Sequence, residues 1–167
     1  RGNGLTGWVD GAISLPGIPR DLAISGDAAW VSVGQTDSEA ELARVDLSTG
    51  AIVRVPETTG ARSITADTTG VWVSICARVT EQGCDGRAIA RVDPTSATIQ
   101  ARANVEGINL ELAVDQGLVW ASMGSPDQLE AFDTEQLRPI ETVPAVGSQF
   151  SVGQDAAWGL WQSAKVP

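Results

Sequence analysis

Four short stretches of the chain alternate bulky and small positions around a small central residue: Leu22-Ala23-Ile24, Ile64-Thr65-Ala66, Leu112-Ala113-Val114 and Phe150-Ser151-Val152. A period of two predicts strands, because successive side chains of an extended chain point to opposite faces. Each stretch ends six residues before a tryptophan (Trp30, Trp72, Trp120 and Trp158), and turn formers such as Gly26-Asp27 and Gln116-Gly117 lie between. Each tryptophan therefore belongs to a second strand that returns from a tight turn. Third strands ending in aspartate are predicted at Leu42–Asp46, Ala88–Asp93 and Leu129–Asp133. Turn residues follow, then fourth strands at Ile52–Val55, Thr98–Ala101 and Ile140–Val143. Aspartate at that position can accept hydrogen bonds from the turn backbone.

The tryptophans are spaced by 42, 48 and 38 residues, so the four-stranded unit repeats. A single such sheet leaves both faces uncovered, and ranking sheets side by side around an axis covers them. No segment has a helical period. The expected fold is all-β: a β-propeller of four-stranded antiparallel blades. A two-sheet sandwich is the competitor, but it requires no repeat. The units are expected at about 1–18 (half a blade), 19–59, 60–104, 105–144 and 145–167 (half a blade). Leu5–Asp10 and Ala12–Leu15 read as a third and a fourth strand, and Gln149–Trp161 as a first and a second. The strands amount to four blades. They could close a ring through one mixed blade or form a fragment of a larger ring, and open blade edges, which invite pairing, favour the fragment.

Composition narrows the chemistry. Of the 167 residues, 43% are hydrophobic and 19% charged, a globular balance. Eleven basic against twenty-one acidic residues give a net charge of −10, which repels phosphate backbones and argues against nucleic acid as a partner. No apolar run reaches the roughly eighteen residues of a membrane span. The chain holds no histidine, which removes Ser-His-Asp and Cys-His centres, a histidine base and imidazole metal sites. No cofactor or metal is expected. Cys76 and Cys84 stand eight apart and read as a disulfide stapling a loop in an oxidising compartment, which implies an extracytoplasmic location.

The Trp-Val-Ser segments, the Ala-Arg-Val-Asp third strands with Thr or Ser and then Gly or Ala after them, and turns such as Asp115-Gln116-Gly117 before Trp120 resemble bacterial propellers of the YVTN/NHL-like group. The resemblance covers almost the whole chain. It implies an extracytoplasmic binding or sensor module; a minority of the group are enzymes. One enzyme of similar repeat style, streptogramin B lyase, works through histidine, so its activity does not carry over.

The distance from tryptophan to the third-strand aspartate varies, at 16, 21 and 13 residues. In a propeller these variable loops share one face with the connections between blades, and loops on a rigid scaffold are where binding resides. The loops are Gly34–Ala40, Ala77–Arg87 and Gly124–Gln128. The candidate ligand-binding residues are Arg20, Asp21, Arg62, Glu111 and Gln149 at the starts of the first strands, with Asp37, Glu39 and Arg87 from the loops. Two arginines at a channel mouth could hold an anion; alternatively they pair internally with Asp21 or Glu111. The acidic loop from Gln35 to Glu41 reads as a solvated surface, with calcium binding as the alternative. The tryptophans, fixed in one register, read as packing anchors. The function expected is a non-catalytic module presenting loops to a protein or small ligand. Its rivals are a metal-assisted hydrolase or lyase using Asp21 and Glu111, and a structural piece that joins further propeller blades or a second copy.

Overall fold

The structure is a computed structural model that describes residues 12–107, 111–124, 127–144, 149–153 and 156–160. Within them the chain forms strands and turns and no helix. The first sheet runs β1 (Ile18–Ser25), β2 (Ala28–Gly34), β3 (Glu41–Asp46), β4 (Ile52–Arg54). The second runs β5 (Ile64–Ala66), β6 (Val71–Thr80), β7 (Gly83–Val92), β8 (Ile99–Val105). The third runs β9 (Glu111–Asp115), β10 (Leu118–Gly124), β11 (Asp127–Asp133), β12 (Pro139–Pro144). A hairpin, β13 (Gln149–Gly153) with β14 (Ala156–Leu160), follows. Every pairing is antiparallel between neighbours in sequence. The first strands touch in succession, β1 with β5, β5 with β9 and β9 with β13, so they form the inner edge around which the blades are ranked.

The four first-strand stretches share one register. Ala23 pairs with Trp30, Thr65 with Trp72, Ala113 with Trp120 and Ser151 with Trp158. The small residue therefore lies directly across from the indole, and a bulky one there would compete with it for the same space on that face.

The core lies between blades. Trp30 and Leu42 of the first blade pack with Val71, Val73, Ala90 and Val92 of the second. Trp72 and Ile89, on the second blade's opposite face, pack with Val119, Met123, Phe132 and Leu137 of the third. Trp30 and Trp72 are fully buried. Trp72 also donates its indole N–H to the carbonyl of Thr134 at 3.2 Å, in the turn between β11 and β12. Trp120 occupies the same register but is only half-buried.

The third-to-fourth strand turns repeat one hydrogen-bond pattern. Asp46 accepts from the backbone N–H of Ser48 and Thr49, Asp93 from Thr95 and Ser96, and Asp133 from Glu135 and Gln136. Four residues after each aspartate the backbone turns left-handed, at Gly50, Ala97 and Leu137. These bonds hold the carboxyls below the usual carboxylate range, led by the Ser48 hydroxyl for Asp46, the Ser96 amide for Asp93 and the Gln136 amide for Asp133. A folded-state pKa below the unfolded value stabilises the fold above the unfolded value, about 4, and that contribution is lost as pH falls through the lower folded values. Glu111 and Glu130 act in the opposite sense, because burial raises both. The expected result is a urea midpoint that drops below about pH 4, with a shallower drop when Asp46, Asp93 and Asp133 are all replaced by asparagine. An unchanged pH slope in the triple variant would rule out the turns as its source.

Three expectations are corrected. Gly124–Gln128 is not a loop at its ends, where Gly124 pairs with Asp127 and Met123 with Gln128. Ala12–Leu15 is not a strand; among the described residues no strand pairs with it. Leu15 instead lies over Ala29, Val31 and Val45, on the face of the first blade away from the second. Ala77–Arg87 is not a loop either. β6 and β7 continue as a paired ladder as far as Thr80 and Gly83, so the extra residues lengthen a hairpin. The alternation through Arg78, Val79 and Thr80 suits a strand, and Gly83 has the positive φ of a tight return, 111°. Cys76 and Cys84 form a disulfide across this hairpin, with Cα atoms 5.2 Å apart. Leu5–Asp10, Trp8 and Trp161 lie outside the described residues.

Candidate functional site

The site is built by where the inner strands begin. β5 follows directly on Arg62-Ser63, β9 starts at Glu111, and Arg20-Asp21 lie near the start of β1, where the register with β2 shifts between Pro19 and Asp21. The second-to-third strand connection 35–40 and the blade connection 55–63 emerge on this same face, while the aspartate turns lie on the other. A cavity of about 410 Å³ opens here, lined by Arg20, Asp21, Arg62, Ser63, Ile64, Glu111, Leu112 and Phe150.

Buried serines set the strand starts. Ser32, Ser74 and Ser122 each stand two residues after a tryptophan and are almost fully buried. Ser32 donates to the carbonyl of Ala61 at 2.6 Å, Ser74 accepts from the N–H of Ser63 at 2.9 Å, and Ser122 accepts from the N–H of Glu111 at 3.2 Å. The Trp-x-Ser spacing is the signal of this role in the sequence.

A second relay joins blade to blade. Asp21 accepts from the N–H of Ile64 at 2.7 Å, and Ser63, its counterpart one blade on, accepts from the N–H of Leu112 at 3.0 Å. The other Asp21 oxygen accepts from the N–H of Leu22 at 2.9 Å. Both oxygens of Asp21 are thus engaged by backbone, which makes this carboxylate a strut between blades.

Arg20 pairs with Asp37 and also reaches the carbonyl of Gln35 at 3.5 Å, so the acidic loop folds back onto the mouth. Its partner is neither Asp21 nor Glu111. Glu39 accepts from the Thr36 hydroxyl at 2.9 Å, which separates it from Asp37 in role. Among the described residues no group of three acidic or cysteine side chains converges in a way that would hold a metal. Arg87 donates to the carbonyl of Gly60 at 2.9 Å, and burial first, then the charge of Arg62, lowers its pKa. Glu111 is half-buried and raised, by burial first and then by the charge of Asp21, with Arg62 opposing. Gln149 opens β13, and its side chain lies outside the described residues. The cavity therefore gathers Arg20, Asp21, Arg62 and Glu111. Asp37 and Arg87 flank it, the one through its pairing with Arg20 and the other through its coupling to Arg62, and Glu39 stands apart. Ser63, Leu112 and Phe150 also line the cavity, a part that strand alternation alone does not mark.

Three solved structures are similar. The computationally designed protein Ika4 superposes with a TM-score of 0.63 at 10% identity, over 88% of this chain and 94% of that one. The β-propeller domain of Cps50 (Swd1) from Myceliophteria thermophila gives 0.61 at 11% identity, over 80% of this chain and 41% of that one. BamB from Moraxella catarrhalis gives 0.51 at 20% identity, over 78% and 39%. The chain spans less than half the length of the latter two. No family model matches the sequence, and no characterised protein matches it by sequence. At these identities the likeness bears on the fold alone, and the fold is a β-propeller.

Proposed function

We propose that this chain is a binding or sensor module of an extracytoplasmic β-propeller, taking a protein or small ligand at the face where its inner strands begin. The observation that carries the reading is the cavity at that face, whose lining combines Arg20, Arg62 and Glu111 with the apolar side chains of Leu112 and Phe150. A concave site with a few convergent polar groups on a rigid scaffold is the usual form of a ligand pocket. The disulfide supports an oxidising compartment. The repeat motifs support a place near the YVTN/NHL-like group. A thermal-shift screen of small metabolites tests this. A ligand that raises the melting temperature of the unmodified protein is expected to lose that effect in the R20A/R62A double variant and to keep it in T95K, on the opposite face. A shift that survives R20A/R62A places binding elsewhere.

The assembly reading has its own observation. Leu22 and Ile24 of β1 are 56% and 53% exposed, whereas Ile64 and Leu112, which hold the position of Leu22, are 6% and 9% exposed beneath a neighbouring blade, and Ala66 and Val114, which hold that of Ile24, are half-buried. Leu22 and Ile24 leave the inner end of the first blade's outer face apolar and exposed, beside the part that Leu15 covers. Light scattering is expected to show association, with a further blade or a second copy, that L22D abolishes. A stable monomer at high concentration counts against it.

A further inference from the structure

Most polar groups of the mouth cavity already have partners, and those that do not are of opposite charge. Arg20 is engaged by Asp37 and Gln35, and Asp21 by two backbone N–H groups. Ser63 accepts from Leu112, which leaves its hydroxyl hydrogen to donate. Among the described residues the guanidinium of Arg62 and the carboxylate of Glu111 enter no ion pair with each other or with any other group, although each lies within the other's field. They line one cavity from adjacent blades, with Leu112 and Phe150 as the apolar wall.

Charges of opposite sign on one cavity wall that do not close on one another leave a gap that a molecule carrying both signs can bridge. A simple anion would meet Glu111 and Asp21, and a simple cation would meet Arg20 and Arg62. A carboxylate suits the planar fork of an arginine, and an ammonium suits a half-buried carboxylate whose solvation is already reduced. The volume is within the range of small-ligand pockets. We infer that the cavity binds a free α-amino acid with an apolar side chain: carboxylate on Arg62 and Ser63, ammonium on Glu111, side chain against Leu112 and Phe150. This rests on the proposal that the mouth face is the binding face.

Titration calorimetry with L-leucine, N-acetyl-L-leucine and L-leucinamide tests it. L-leucine is expected to bind at least about tenfold more tightly than either capped form, because each cap leaves one protein charge unmatched. R62A is expected to bring L-leucine down to the affinity of L-leucinamide, and E111Q to bring it down to that of N-acetyl-L-leucine. Neither side chain supports the fold through a hydrogen bond among the described residues, so both variants are expected to melt as the unmodified protein does. Absence of L-leucine binding at millimolar concentration overturns the inference. Capped forms that bind as tightly as L-leucine, and lose affinity in R62A, overturn the amino-acid assignment while leaving the mouth as the binding face. Binding indifferent to both substitutions overturns the assignment and the face together.

Discussion

Replacing Trp72 with alanine is expected to lower the unfolding free energy by about 3–5 kcal/mol, the range for removing a fully buried aromatic side chain. The indole sits between the second and third blades, and its N–H is bonded to the carbonyl of Thr134 at 3.2 Å. Trp120→Ala is expected to cost clearly less, because the same register position is only half-buried there. Two phenylalanine replacements separate the ring from the hydrogen bond. Among the described residues the buried indole N–H of Trp30 has no acceptor, whereas that of Trp72 does. Trp72→Phe should therefore exceed Trp30→Phe by about 1 kcal/mol, the net value of one hydrogen bond. Urea unfolding followed by circular dichroism measures all four variants. Equal losses for Trp72→Ala and Trp120→Ala would contradict the placing of the core between blades.

Gly60→Ala is expected to destabilise by at least about 2 kcal/mol, combining a left-handed backbone disfavoured for alanine with an overpacked contact. Gly60 has a φ of 76°. A Cβ there would overlap the sulfur of Cys76, lie 2.8 Å from that of Cys84 and 3.2 Å from the backbone nitrogen of Cys76. Its carbonyl also accepts from Arg87, so movement away from the sulfurs disturbs the flank of the mouth. The two contributions separate in a double-mutant cycle. In a C76A/C84A background, which loses the disulfide's own contribution of about 2–4 kcal/mol, the further loss from Gly60→Ala should shrink towards the backbone cost alone. The same loss in both backgrounds would mean that the sulfurs do not crowd this position.

The candidate site was legible where it depended on register. Arg20-Asp21, Arg62-Ser63 and Glu111 directly precede the like-patterned alternating stretches, and equivalent positions in stacked repeats converge on one end of the axis. The sequence did not reveal partners. Arg20 joins Asp37, seventeen residues on, because the loop 35–40 folds back over the mouth. Nothing in the local pattern separates that pairing from one with Asp21. The length of the β6–β7 hairpin is hidden for a related reason: a charged, cysteine-containing stretch reads as loop, although Val79 and Thr80 continue the ladder.

Within the repeat, the tryptophan register and the aspartate turns follow from the sequence alone, since they depend on contacts between near neighbours: alternation, an aspartate that accepts its own turn's N–H groups, and a small residue across from each tryptophan. The tertiary structure decided which of these like-patterned surfaces are covered. Leu22 and Ile64 hold the same position in the repeat, yet one is 56% exposed and the other 6%. Burial of a blade face is set by the sheet ranked against it, and that neighbour is specified by residues far away in the chain.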